Sequence, residues 1–280
     1  MTAVLQREGE IVLSDREMDR IVRLVYERCG ITLHDGKRAL IVARLHKLLK
    51  GGGFRSFSDY VRHVETDHTG HELSVLIDAI STNHTSFFRE DEHFGYLASQ
   101  VVAPLAAADR AVRVWCAACS TGQEPVSLAI TLMDAMPQGL HGRLRMLASD
   151  ISTRALKTAA AGVYPLRVVE GVPQPVLKNH FERGLGADAG KVRVRTHVRR
   201  AIEYRRLNLI EIDSLNETFD VVFCRNVMIY FDKTVQQRVV SMIERHLAPG
   251  GYLFIAHSES LNGLTHELKW MAPAVYRRAA

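Results

Sequence analysis

The apolar periodicity of this chain changes once, near residue 110, and that change limits the fold more than any other feature. Up to residue 80, apolar residues recur every three or four positions, as on one face of a helix, and no strand is legible. Ser14 and Glu17 form a capping box; Met18, Ile21, Val22 and Val25 follow at helical spacing, and Gly30 suits a C-terminal cap. A second helix carries Leu40, Ile41, Leu45, Leu48 and Leu49 and stops at Gly51-Gly52-Gly53. Ser56 opens a third through Tyr60, Val61 and Val64, and a fourth carries Leu73, Leu76, Ile77 and Ile80.

Beyond residue 110, short apolar runs alternate with helical segments. Val112–Cys116, Leu144–Ala148, Phe219–Phe223 and Tyr252–Ala256 read as strands; helices open near Pro125, at Ser152 and at Asp232. Strands alternating with helices predict a parallel sheet covered on both faces. One segment departs from this rhythm. Val192, Val194, Thr196 and Val198 alternate with Arg193, Arg195, His197 and Arg199, and Ile202–Leu207 follows, which predicts an inserted antiparallel hairpin.

In such a sheet ligands sit at the carboxyl ends of the strands. The turn after the first strand, Ala117-Ala-Cys-Ser-Thr-Gly122-Gln-Glu124, has small residues but one glycine, so a pyrophosphate fingerprint is missing. A carboxylate at Glu124 suits a cationic ligand instead. Asp150 ends the second strand, where an acid accepts hydrogen bonds from ribose hydroxyls. With the later Pro249-Gly250-Gly251 turn, the pair favours S-adenosylmethionine over a nicotinamide, although a tight turn and a helix cap would explain the same residues.

Four blocks carry a resemblance: Ser81-Thr-Asn-His-Thr-Ser-Phe-Phe-Arg89-Glu90, Val114-Trp-Cys-Ala-Ala-Cys-Ser-Thr-Gly-Gln-Glu124-Pro125, Ala148-Ser-Asp150-Ile151, and Phe223-Cys-Arg225-Asn226-Val-Met-Ile-Tyr230-Phe-Asp232. In order and spacing the chain, from Leu13 to about Arg277, resembles the CheR-type chemotaxis receptor methyltransferases, which use S-adenosylmethionine to esterify receptor glutamates. The resemblance implies an α/β protein with a helical receptor-docking domain (1–80), a linker (about 81–92) and a Rossmann-like methyltransferase domain (81–280) with a small antiparallel β-subdomain inserted at about 165–206. It places cofactor contacts at Asn83, Thr85, Arg89, Glu124, Asp150, Asn208, Leu209, Arg225 and Asn226. Arg89 and Tyr230 are the candidates for positioning the reacting groups, although a clamp on the cofactor carboxylate would explain Arg89 equally and a packed aromatic would explain Tyr230. Gln123 stands where the family often has Glu, and Cys116 and Cys119 where it has small residues.

Receptor contacts are expected on a basic stretch without acids, including Lys37, Arg38, Arg44 and Lys47, and on the β-subdomain through Arg183, Gly184, Gly186, Gly190, Arg193 and Arg195. That subdomain resembles those that bind a receptor's C-terminal pentapeptide by strand addition. The net charge of +5 is thereby assigned to two patches rather than to nucleic acid. Residues 1–80 are neutral overall, with 12 basic and 12 acidic residues.

Other readings fare worse. A base methyltransferase would favour an Asn/Asp-Pro-Pro-aromatic motif, and Asn226 is followed by Val-Met-Ile. A cofactor-sensing module without catalysis would not need Arg89, Glu124, Asp150, Asn208 and Asn226 together. Cys116-Ala-Ala-Cys119 lacks a second ligand pair, so no metal is expected. Four cysteines, no apolar run near 18 residues and a charged N-terminus without a signal-like core predict a cytoplasmic protein. A monomer is expected, although these features leave the oligomeric state open.

Overall fold

The computed structural model describes residues 13–33, 38–80, 85–108, 110–212 and 215–280. The chain divides into two compact units, Met1–Thr82 and Asn83–Ala280.

In the first unit, α1 (Asp15–Cys29), α2 (Arg38–Gly52), α3 (Phe57–Thr66) and α4 (His71–Ile80) form a bundle. The capping box at α1 is present in both directions, Glu17 N–H to Ser14 Oγ at 3.3 Å and Ser14 N–H to Glu17 Oε2 at 3.0 Å. Glu17 Oε1 also accepts from Ser58 N–H (3.0 Å) and Oγ–H (2.7 Å), so one cap carboxylate joins α1 to the start of α3. Gly30 ends α1 at φ 71°, a left-handed conformation that favours glycine. Ile21, Val25, Ile41, Leu45, Leu49, Phe57, Tyr60 and Leu76 fill the core. Each such side chain contributes about 1.5–3 kcal/mol by leaving water.

The second unit opens with α5 (Glu92–Tyr96), a π-turn and α6 (Val102–Ala107). There follow β1 (Val112–Ala117), α7 (Gln123–Ala135), β2 (Leu144–Asp150) and α8 (Thr153–Ala161). Then come β3 (Val163–Pro165), α9 (Gln174–His180), β4 (Phe181–Arg183), β5 (Lys191–Val194), α10 (Thr196–Arg199) and β6 (Ile202–Arg206). The chain closes with β7 (Phe219–Phe223), α11 (Lys233–His246), β8 (Leu247–Phe254), β9 (Lys269–Ala272) and β10 (Val275–Arg277). The main sheet has the order β6-β2-β1-β7-β8-β10-β9, parallel from β6 to β8 and antiparallel beyond. The two C-terminal antiparallel strands had no clear signal in the sequence.

The predicted hairpin is not formed. β5 pairs antiparallel with β3 and β4 in a separate three-stranded sheet, whereas β6 joins the main sheet parallel to β2. The single turn of α10 reverses the chain between them, so the small sheet ends at Val194 and not at residue 206. Alternation fixes which face a strand buries and says nothing of its partner.

β1 lies between β2 and β7, so successive connections leave it in opposite directions. That switch point opens a crevice at the carboxyl ends of β1, β2 and β7.

Candidate active site

The crevice begins with a strained turn. Ala118 and Ser120 have φ of 79° and 50°, and Gly122, at 97°, caps α7. A Cβ at Gly122 would lie 2.7 Å from Ala159 Cβ and 2.8 Å from Tyr164 Oη, so glycine is needed both for backbone conformation and for space. The N–H groups of Ala118 and Cys119 both donate to Ser149 O at 2.8 Å. Asp150 accepts from Ser120 N–H on one oxygen (2.8 Å) and from Ser152 N–H on the other (2.9 Å). The cap of α8 is Ser152, not Asp150: Ala155 N–H donates to Ser152 Oγ at 2.9 Å. The two amides fix the Asp150 carboxylate at the end of β2, and the nearby Ser120 hydroxyl is buried with no hydrogen-bond partner.

Glu124 lies in the first turn of α7, where the helix dipole favours a carboxylate. Its Oε2 accepts from Arg225 Nη1 at 2.8 Å and its Oε1 from the Cys116 thiol at 3.2 Å. Arg225 is wholly buried and also binds Arg89 O (2.6 Å) and Glu90 Oε2 (3.0 Å) through Nη2. Its guanidinium lies 5.9 and 5.8 Å from the ring centres of Phe94 and Phe223. One cation thus links two carboxylates in a desolvated place. Burial pushes the Glu124 carboxyl above its usual range, and Arg225 opposes this only in part. A further cation at Glu124 would be favoured.

The segment after β7 supplies the other wall. Asn226 has φ 57°, and Tyr230 ends a short turn, half-buried beside Ile229, which is 47% exposed. The N–H groups of Asn226 (3.1 Å), Val227 (3.0 Å) and Ile229 (3.3 Å) all donate to the carboxylate of Glu259. Asn208 and the buried Leu209 follow β6, whose end is tied to β2 by Leu207 N–H to Asp150 O at 3.1 Å. Thr85 and Arg89 are half-buried on the entry segment. Asn83 lies outside the described residues.

Strand order and hydrogen bonds thus bring Arg89, Glu124, Asp150, Asn208, Leu209, Arg225, Asn226 and Tyr230 to the carboxyl ends of β1, β2, β6 and β7. The receptor residues lie elsewhere. Lys47 is exposed on α2, whereas Arg44 is half-buried and donates to Ile80 O at 2.9 Å. Lys37 falls outside the described residues, as does the side chain of Arg38. Arg183 is exposed on β4 and Arg193 on β5, while Arg195 is tied to Phe181 O (3.2 Å) and Lys178 O (3.3 Å). Gly184 abuts Asp188 O, which would stand 2.2 Å from a Cβ, and Gly186 and Gly190 have φ of 58° and 86°.

Three groups escaped the sequence reading. Glu259 lies in none of the four blocks and Glu90 ends the first without a role assigned to it; their roles come from backbone amides and an arginine distant in sequence. His93 is buried, and burial with the fields of Arg225 and His257 pushes it down to about 4. Ligand-capable atoms of Glu90, His93 and His257 lie within 4.8 Å of one another. Glu90 Oε2 already holds Arg225 and accepts from His257 N–H at 3.1 Å, so a dication there would face a guanidinium. All four cysteines are buried and free, and burial raises the Cys116 and Cys119 thiols well above the range of a nucleophile.

Two family descriptions match the chain: CheR methyltransferase, SAM binding domain, over residues 83–276, and CheR methyltransferase, all-alpha domain, over residues 16–81. A chemotaxis protein methyltransferase of Salmonella typhimurium is 39% identical over 98% of this chain and 94% of its own. The chemotaxis protein methyltransferase 2 of Pseudomonas aeruginosa is 39% identical over 94% of this chain and 93% of its own. The Escherichia coli chemotaxis protein methyltransferase is 37% identical over 98% and 94%.

Proposed function

The chain belongs to the CheR methyltransferase family, with an S-adenosylmethionine-binding methyltransferase domain, and from that premise we propose that it esterifies glutamate side chains of cytoplasmic chemoreceptor helices. The observation that carries this reading is the meeting of Glu124, Asp150 and the Asn226–Tyr230 turn at one switch point. The residues fit the cofactor: a buried carboxylate at which a cation would be favoured, an acid held by two backbone amides at the end of β2, and a buried Ser120 hydroxyl with no hydrogen-bond partner. In this assignment Glu124 holds the cationic amino-acid end, and Asp150 accepts from ribose hydroxyls. Asn83, Thr85, Asn208, Leu209 and Asn226 complete the contacts, and Arg225 fixes Glu124. When bound, S-adenosylmethionine supplies a methyl group activated on a sulfonium.

The protein has little further chemistry to perform. A glutamate carboxylate, with a reference pKa of about 4.3, is ionised near neutral pH, so no general base is required. What remains is alignment and exclusion of water from the acceptor. Arg89 and Tyr230 are assigned to holding that carboxylate, Arg89 by charge and Tyr230 by its hydroxyl.

Recognition is assigned to two surfaces, the basic residues around α2, including Lys37, Arg38, Arg44 and Lys47, and the small sheet with Arg183, Gly184, Gly186, Gly190, Arg193 and Arg195. In the order β3-β5-β4 the strand β4 is an edge, beside a cavity of about 560 Å³ lined by Leu166, Val169, Leu177, Phe181, Arg183 and Arg195. An edge strand with an apolar hollow suits an extended receptor tail, and such a tether would raise the local concentration of receptor. Among the described residues no helix is long and apolar enough to cross a membrane.

Receptor-containing membranes incubated with methyl-labelled cofactor test the reaction. Carboxyl methyl esters release methanol in mild base, and label that survives base would sink the proposal. Titration with receptor C-terminal pentapeptide tests the tether, and no saturable binding by the wild-type protein would exclude it.

A further inference from the structure

We propose that Glu259 is a positioning residue for methyl transfer, acting through the backbone of the Asn226–Tyr230 turn; the inference rests on the site assignment above. Glu259 follows β8 and reaches the turn through the turn's own backbone. Its carboxylate accepts four backbone N–H groups: Ala256 at 2.8 Å, Asn226 at 3.1 Å, Val227 at 3.0 Å and Ile229 at 3.3 Å. Three of these come from a turn 30 or more residues away in sequence, so the contact is tertiary and not a local cap. A carboxylate accepts at about four lone-pair positions, and all four donors can be met at once only by the ionised group. Burial raises its pKa above the usual carboxylate range, and the amides of Ala256, Asn226, Met228 and Ile229 oppose this in part.

The turn needs such a clamp. Asn226 is held at φ 57°, a left-handed conformation that L-residues adopt at a cost and keep only where the surroundings impose it. Its N–H is one of those that Glu259 fixes, and Ile229, the residue before Tyr230, is another. The same short segment also pins the entry segment, since His257 N–H donates to Glu90 Oε2, the oxygen that holds Arg225. Residues 256–259 therefore set the spacing between the Arg89–Glu90 segment and the Asn226–Tyr230 turn, the two elements assigned to the acceptor carboxylate.

Glu259→Gln keeps the shape and replaces one acceptor oxygen with an NH₂ that faces amide donors. Glu259→Asp keeps the charge and shortens the reach. Three readouts separate positioning from mere stability: kcat at saturating cofactor and receptor, cofactor Kd without receptor, and amide hydrogen exchange at residues 226–229. The expected result for Glu259→Gln is a kcat at least tenfold lower, cofactor affinity weaker by about fivefold, and faster exchange confined to the turn. Glu259→Asp should fall between this and the wild type, and it decides the matter alone if the Gln variant does not fold. Faster exchange in the turn with kcat and Kd within twofold of wild type would overturn the inference, as would unchanged exchange in either variant. A wild-type protein that binds cofactor and methylates no receptor would refute the receptor reading instead, leaving Glu259 to be judged on cofactor Kd.

Discussion

The two units use polar residues in opposite ways. In the helical unit they sit at element ends and on the surface: Glu17 caps α1 and α3, and Arg20 pairs with Glu65 across α1 and α3, around an apolar core. In the second unit the charges go inside. Arg225 is wholly buried between Glu90 and Glu124, and Glu259 is enclosed by backbone amides. Burying charge costs free energy unless each group is paired, and that cost is met where chemistry requires fixed, desolvated groups. The difference supports the assignment of chemistry to the second unit, and with it the proposal that the first serves recognition.

Substitutions can break this contrast. The largest effect is expected from Leu45→Ala in the helical core, which should cost about 2–5 kcal/mol. Thermal unfolding should show a destabilised helical unit while calorimetric cofactor affinity stays at the wild-type value. A parallel loss of cofactor binding would mean that the units do not divide the work as stated.

Next comes pH. His93 titrates at about 4 in the fold against a reference of 6.5. Between those values the unfolded chain binds the extra proton, so stability is present above pH 6.5 and is lost as pH falls toward 4. At 1.36 kcal/mol per pKa unit the loss is about 3 kcal/mol. Chemical denaturation across that range should give a flatter profile for His93→Phe than for wild type, and an identical slope would refute the assignment.

Glu124→Gln follows. It should reduce kcat/KM about 10–100-fold, the worth of one charge-assisted hydrogen bond of about 1.5–3 kcal/mol, weaken cofactor binding, and lower the melting temperature because the buried Arg225 loses one of its two carboxylate partners. Smallest is Lys47→Glu, whose charge reversal on exposed α2 should raise KM for receptor a few-fold, by about 1 kcal/mol or less, without touching cofactor Kd. Receptor methylation should also weaken with salt far more than cofactor binding does, and equal salt dependence would remove the electrostatic docking surface.

Much of this was legible in sequence because it is local. Ser14, Glu17, Gly30, Ser56, Ser152 and Asp232 cap helices through neighbours within three or four residues, and a linear pattern shows such contacts directly. The run from Phe223 to Asp232 marks the turn that carries Asn226 and Tyr230. What escaped was non-local. β5 and β6 share one alternating stretch and enter different sheets, because pairing is decided by tertiary packing. Glu259 and Glu90 are ordinary acids until the fold brings amides and Arg225 to them.

The central claim is carboxyl methylation of receptors at the β1–β2–β7 crevice, and peptide mapping of the product tests it most directly. Receptor membranes treated with wild-type protein and cofactor should carry base-labile methyl groups on glutamate side chains, sharply reduced with Glu124→Gln. Base-stable methyl groups on lysine, arginine or asparagine nitrogen, or equal yields from wild type and variant, would contradict it.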